Sequence, residues 1–308
     1  MCRRVVVARP RVREQSDRAL TGVYSKVTSK SLQPILALMG YPVGGNPIQY
    51  MSEKAFARHG LDWRYVSLEI HPDDLSDAIR GMKVMGFLGG NVADPHKEAI
   101  VPLLDGLGPT AERTGLVNLI RRDENRLVGE NTEGKALVDL LRVRFDLAGR
   151  RVVLLGAGHV ARAIAVELAD AGAAEIVVLD RVEQRAVELA EILAKRFDVS
   201  SSPVPWGQDY LVPAEIDVLI NATSAAQDDP DTPLAVNLEN LDSRATVVDT
   251  TIDPPDTWLL QQARQHGCAT LDGVSVFTNQ IFLNCRMWTG VEPDRSLLRE
   301  AIEEFLEL

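Results

Sequence analysis

The chain has 308 residues, 45% of them hydrophobic and 25% charged, and a formal net charge of −11. This is globular composition at a length of about two domains, each long enough to bury its own core. The acidity argues against nucleic acid as a main partner, since phosphate contacts need clustered Lys and Arg, and no apolar run reaches the roughly 18 residues of a membrane span.

These features predict a soluble, cytoplasmic protein that handles a small molecule. Cys2, Cys268 and Cys285 lie far apart and form no CxxC pair, as expected for plain thiols in a reducing compartment. The five histidines show no metal-ligand spacing, so no metal is expected.

Residues 1–33 open with a basic stretch, lack the apolar core of a signal peptide, and read as an irregular extension. PILALMGYPV (34–43) is an apolar strand running into a turn. MSEKAFARHG has a helical pattern closed by glycine. DWRYVSLEI is a second strand, and HPDDLSDAIRGMKVMG, with Leu75, Ile79 and Met82 on one face, is a helix. FLGGNV is a third strand, leading directly into NVADPHK (91–97). HKEAIVPLLDGL and PTAERTG read as short helices, and LVNLIRRDENRLVGEN as a hairpin with its turn at 123–125.

RRVVLLGAGHVARAIAVELADAGAAEIVVLD then reads as strand, glycine turn, long helix and strand, a βαβ unit. The helix EQRAVELAEILAKRF, the strands DVLINAT and ATVVDTT, the helix TWLLQQARQHG and the strand CATLDG continue the alternation. The pattern predicts a parallel sheet with helices on both faces. The segment from SVFTNQ to the C-terminus reads as helical with a break near residue 293.

The glycine turn supplies Gly156, Gly158 and Ala161 in a G-x-G-x-x-A pattern, after a strand and opening a helix. Gly156 permits the tight turn, Gly158 lets the backbone approach a pyrophosphate at the helix N-terminus, and Ala161 lets helix and strand pack closely. His159 and Val160 lie within the same loop. Asp180 ends the next strand, 24 residues after Gly156. A carboxylate there accepts hydrogen bonds from a ribose 2′-OH and repels a 2′-phosphate, which favours NAD over NADP. The neighbouring Arg181 is placed to meet such a phosphate, so NADP stays open.

Taken in order, GFLGGNVADPHKEAI, TGLVNLI, GENTEGKALVDLL, LLGAGHVARA, DVLINAT and DGVSVFTNQ resemble the shikimate dehydrogenase family over nearly all of residues 35–290. The resemblance implies an α/β fold of two domains. These are a substrate-binding domain (34–132 plus 274–308, the C-terminal helices returning to it) and a Rossmann-type NAD(P)-binding domain (133–273). It implies interconversion of a ring hydroxyl and a ketone, with shikimate and 3-dehydroshikimate as the first pair to consider and quinate or an aminoshikimate as alternatives. Lys97 matches the family's cleft lysine and Glu133 its acid partner. Asn91, Asn118 and Gln280 match the substrate side, and Asn221, Thr223 and Gly273 match loops near the nicotinamide; where the family has two carboxylate-holding serines, Asn46 or the backbone N–H groups of the Gly44–Gly45 turn are expected to take their place. His96 is expected to pack rather than react.

The departures from the family cluster in the substrate half. The family's G-x-P-x-x-H-S-x-S-P loop, whose two serines hold the substrate carboxylate, is here GYPVGGNP (40–47), shorter and without either serine. Tyr50 and Met51 follow it in place of a histidine and an asparagine. Ala93 stands for a threonine, Glu133 is one methylene longer than the usual aspartate, and Ile252 replaces a tyrosine. Each lost hydrogen bond to a buried polar group costs about 1–3 kcal/mol. The expectation is therefore a dehydrogenase with an altered or differently held substrate. A non-catalytic NAD-binding regulator and a folate-type dehydrogenase are the competing readings. A monomer or a homodimer is equally compatible with the sequence.

Overall fold

The computed structural model describes residues 32–207, 209–225 and 233–308; the expected N-terminal extension, up to residue 31, lies outside the described residues. A first sheet is built from β1 (Ile35–Gly40), β2 (Arg64–Glu69), β3 (Gly89–Val92), β4 (Gly106–Leu107), β5 (Leu119–Asp123) and β6 (Arg126–Glu130), in the order β2-β1-β3-β5-β6-β4. β1, β2 and β3 are mutually parallel, and the expected hairpin, β5–β6, is antiparallel.

The period-2 alternation of β1 splits its residues between two cores. Leu36 and Leu38 pack on helix α1 (Ile48–Arg58) through Met51, Ala55 and Phe56. Ala37 and Met39 face helix α2 (Leu75–Val84) through Leu75, Ile79 and Met82, the three residues whose spacing predicted that helix. Two short helices follow β3: α3 (His96–Ala99) and α4 (Pro109–Thr114).

Helix α5 (Glu133–Arg142) leads to the second sheet. Its strands are β7 (Arg151–Leu155), β8 (Glu175–Asp180), β9 (Ser200–Pro205), β11 (Val218–Asn221), β13 (Thr246–Asp249) and β14 (Ala269–Leu271), all parallel, in the order β14-β13-β11-β7-β8-β9. A separate two-stranded pair joins β10 (Tyr210–Leu211) to β12 (Val236–Asn237). Val152 and Leu154 of β7 sit in one core and Val153 and Leu155 in the other, so the strand is buried on both faces. That explains its continuous apolar run. Helices α6 (His159–Asp170), α7 (Glu183–Arg196) and α8 (Trp258–Gln265) cover this sheet. α9 (Gly273–Thr289) and α10 (Arg295–Phe305) return to the first core, where Val274, Ile281, Phe282, Leu298 and Ile302 pack with α1.

Two segments differ from the expectation. SSSPVP forms β9, although its polar residues and prolines carry no strand pattern; it is an edge strand, the one place in a sheet that tolerates proline. Gly106 and Leu107, expected to be helical, instead pair with Val128 and Gly129 of β6, because the helical path already breaks at the short 3₁₀ turn around Pro102.

The strand order of the second sheet reverses between β7 and β11. Ligands of open parallel sheets bind at that switch point, beyond the carboxyl ends of the strands. The C-terminal ends of β1 and β3 in the first sheet contribute to the same opening, whose lining includes Asn46, Ala93, Gly158 and Thr223.

Candidate active site

Between the two sheets lies a cavity of about 800 Å³. On its substrate side, β3 delivers the turn at 93–95 and then Lys97 in the first turn of α3. Lys97 is 5% exposed. Its Nζ donates to Glu133 Oε1 at 2.7 Å and lies 3.2 Å from Asp94 Oδ2. Burial alone would lower the proton affinity of the ammonium, but the charges of Glu133 and Asp94 outweigh it and hold the Lys97 pKa above its ordinary value. Glu133 is the first residue of α5, where the helix N-terminus favours an anion. Its second oxygen, Oε2, is buried without a partner among the described residues.

Asp94 also meets the opposite wall. Its Oδ1 is 2.5 Å from Nδ1 of His159, in the glycine loop. Burial raises the Asp94 pKa, but the His159 hydrogen bond and the Lys97 charge prevail and bring it down to about 2. Neighbouring Glu98 pairs with Arg162 of α6 at 3.2 Å. His96 does pack: it is buried, and its Nε2 meets the Ile70 carbonyl at 2.8 Å.

The expected substrate residues all line the cavity, but they differ in what they have left to offer. Gln280 has no hydrogen-bond partner within the chain among the described residues and faces the cavity. Asn91 accepts from the Tyr65 hydroxyl at 2.9 Å and donates to the Asn118 carbonyl at 3.0 Å. Asn118 is tied to Thr132 through both ends of its amide. Both asparagines therefore first build the wall that carries Glu133. Asn46 was expected to replace the two serines, yet its Oδ1 accepts from the Ile48 amide at 3.1 Å and starts α1. Its NH₂ is left without a hydrogen bond among the described residues.

On the nucleotide side, Gly156 has φ +103°, and an added Cβ would press on the Ala222 carbonyl at 2.9 Å, so only glycine makes this turn. A Cβ on Gly158 would meet nothing within 4 Å, which leaves open space in front of the helix N-terminus. Ala161 is fully buried between helix and sheet. His159, Val160, Thr223 and Gly273 line the cavity. At Gly273 a Cβ would stand 2.1 Å from the Thr251 carbonyl, so the α9 start lies directly on the loop after β13.

Asn221 does not line the cavity. It holds Thr223 through its Oδ1 and donates to Asp249, shaping the loop from beneath. Asp180 likewise braces the glycine loop, accepting from Ala157 N at 2.7 Å and from Val182 N at 2.8 Å. Arg181 is exposed and lies outside the cavity lining; Arg185, one turn into α7, lines it instead.

These residues fit a bound dinucleotide. The open helix N-terminus suits a pyrophosphate, the carboxylate follows the second strand of the βαβ unit, and the glycine loop shares a cavity with a buried lysine.

Three residues escaped the sequence reading. Asp94 sits three positions before Lys97, a spacing that brings side chains together at the start of a helix, and was the findable one. Thr251, 2% exposed and lining the cavity with a hydroxyl that has no partner among the described residues, carries no pattern of its own. Nor does Arg185.

Comparison with known proteins identifies the family. A family model for the shikimate dehydrogenase substrate-binding domain matches residues 38–120, and one for shikimate/quinate 5-dehydrogenase matches residues 139–231. A shikimate dehydrogenase (NADP(+)) from Desulforamulus reducens is 33% identical over 275 residues, covering 88% of this chain and 94% of the relative. The chain belongs to the shikimate dehydrogenase family.

Two solved members of the shikimate dehydrogenase fold frame the substrate question. Ligand-free 5-ketofructose reductase of Gluconobacter sp. strain CHM43 superposes with a TM-score of 0.86 at 34% identity, covering 89% of this chain and 99% of that one. Shikimate 5-dehydrogenase from Listeria monocytogenes, in complex with shikimate and NAD, gives 0.79 at 27% identity, covering 87% and 96%. The enzyme class is thus an oxidoreductase acting on a CH–OH group, with NAD or NADP as the cofactor its relatives use.

Proposed function

We propose that this protein is an NAD(P)-dependent dehydrogenase that interconverts the ring hydroxyl of shikimate and the ketone of 3-dehydroshikimate. The observation that carries this reading is the buried Lys97–Glu133 pair, 2.7 Å apart, in one cavity with the glycine loop. When bound, the nicotinamide accepts or supplies the hydride.

The chain's own residues handle the proton. In reduction, the Lys97 ammonium donates a proton to the ketone oxygen; in oxidation, its neutral amine takes the hydroxyl proton. Glu133 Oε1 holds the Lys97 Nζ, and its unpartnered Oε2 is free to accept from a neighbouring substrate hydroxyl. Gln280 and the Asn46 NH₂ supply further polar contacts. The division into 34–132 plus 274–308 and 133–273 is supported by the two sheets and by the return of α9 and α10 to the first core.

A second reading rests on charge. The chain lacks the carboxylate-holding serines, and Lys97 faces two carboxylates, Glu133 and Asp94. The other cavity-lining cations among the described residues, Arg162 and Arg185, lie on the nucleotide side, on α6 and α7. With His159 neutral, one positive and two negative charges leave the corner around Lys97 at a formal −1, a poor host for an acid and a good one for an uncharged polyhydroxy ketone. The relative named a 5-ketofructose reductase points the same way.

One experiment separates the readings. Turnover is followed at the nicotinamide absorbance with shikimate, quinate and 5-ketofructose, each with both dinucleotides. Efficient oxidation of shikimate supports the first reading. Turnover confined to the neutral ketone rejects it in favour of the second, and inertness toward all three rejects both.

For the cofactor, Asp180 supports a preference for NAD, because its carboxylate opposes a 2′-phosphate. Asp180→Asn keeps the side-chain shape while removing the charge. The ratio of kcat/KM for NADP over NAD is expected to rise about tenfold or more, since like-charge juxtaposition costs several kcal/mol. An unmoved ratio means Asp180 only braces the loop and does not read the ribose.

A further inference from the structure

The proton-handling group of this site is larger than a lysine and one acid. Lys97 Nζ lies 2.7 Å from Glu133 Oε1 and 3.2 Å from Asp94 Oδ2, so two carboxylates from different elements bracket one buried ammonium. Asp94 does not stand alone. It projects from the turn after β3, on the substrate side, and its other oxygen meets His159 Nδ1, on the nucleotide side, at 2.5 Å. His159 in turn is 4.0 Å from Glu98, which is paired with Arg162. Lys97 is nearly enclosed, with 6% of its side chain exposed, whereas 32% of the His159 side chain and 60% of that of Asp94 are exposed. The three groups thus join an enclosed lysine to a more exposed carboxylate and imidazole, and cross from the substrate side to the nucleotide side.

We propose that Asp94 is a positioning residue for Lys97 and that His159 holds Asp94 in place, so that the glycine loop and the proton donor form one hydrogen-bonded unit across the cleft. This deepens the reading of Lys97 as the proton donor and rests on it. The chemistry is direct. An ammonium has three donors; Glu133 takes one and the Asp94 carboxylate draws a second toward itself by charge, which leaves the third to aim at the substrate oxygen. A carboxylate held by two charged or polar neighbours keeps its orientation better than an exposed one held by a single neighbour. Because His159 opens α6 next to the pyrophosphate-binding turn, any movement of that loop reaches Lys97 through one hydrogen bond and one ion pair.

The charges facing Lys97 are Glu133 on α5 and Asp94 on the β3–α3 turn; Glu98 and Arg162 face His159 and offset each other. Removing Asp94 takes away one of the two attractions that keep Lys97 protonated. The limb of the pH–rate profile governed by Lys97 should then move toward acid in both directions of the reaction. Reduction loses its acid at lower pH, and oxidation gains its base at lower pH.

The test compares Asp94→Asn, Asp94→Glu and His159→Gln with the wild-type enzyme, using whichever substrate the turnover panel identifies. For Asp94→Asn the expected result is a fall in kcat of about tenfold to a hundredfold, an acidward shift of the limb by about one pH unit, and an unchanged KM for the dinucleotide. Asp94→Glu restores the limb, and His159→Gln moves it in the same direction by less. An unshifted limb in Asp94→Asn overturns the proposal. A His159→Gln variant that changes only the dinucleotide KM overturns the part assigned to His159.

A second measurement needs no substrate. The Nζ of Lys97 is titrated by NMR in the selectively labelled protein, with Lys97→Arg used to assign the signal. A midpoint that falls in Asp94→Asn supports the proposal and one that stays overturns it, even if no substrate of the panel is turned over and the reading of the reaction fails.

Discussion

Lys97→Ala is expected to lower kcat by about 10²–10⁴-fold, the range for loss of a general acid–base group, while dinucleotide affinity stays as in the wild type. The geometry separates the two effects. Lys97 touches Glu133 and Asp94 and belongs to α3, whereas the glycine loop is braced by Asp180 through Ala157 and Val182. The turn at Gly156 is held by Asp180, and the lysine's link to the loop runs indirectly, through Asp94 to His159. Steady-state kinetics give the first quantity and calorimetric titration with the dinucleotide the second. A rate within a few fold of wild type removes Lys97 from the chemistry. A parallel loss of dinucleotide affinity shows that the cleft, and not only the proton, depends on it.

Glu133→Gln is expected to act on both rate and stability. The Glu133 side chain is 11% exposed and that of Lys97 6%, so the pair is desolvated and removing one charge leaves a buried ammonium with fewer partners. Asp94 remains, which limits the loss to about 1–3 kcal/mol, the cost of an unmet hydrogen bond in the interior.

The pH dependence has a definite sign. The Lys97 pKa is raised above its ordinary value of 10.5, so the stabilisation is fully present below 10.5 and fades as pH rises through the raised folded value. Denaturant unfolding of wild type and variant should therefore differ by a constant amount over about pH 7 to 9 and converge at higher pH. A gap that persists unchanged far above 10.5 means the variant lost packing, not charge pairing.

Much of this site is legible without coordinates. The apolar strand, glycine turn, helix and second strand of residues 151–180 announce a dinucleotide fold, because a parallel strand buried on both faces has to be apolar throughout and a tight βα turn has to contain glycine. The run through NVADPHK marks Lys97, and NTEG marks Glu133, although 35 residues lie between them in the chain. Local patterns of this kind carry period, turn chemistry and family likeness, and most strands of the two sheets follow from them, but not β4 or β9.

Contacts made between distant segments leave no such trace. No spacing in the sequence shows that Asp94 and His159 meet, since they belong to different sheets and come together only when both are folded. The same holds for Asn46, whose side chain is drawn back to start α1, and for Asn221, buried beneath the loop it was expected to line. Polar side chains in a buried environment must find partners, and tertiary packing alone decides which partners are within reach. The sequence by itself determined the fold, the dinucleotide loop and the lysine–acid pair. Only the tertiary structure decided how many carboxylates surround that lysine, and what charge its corner of the cavity carries.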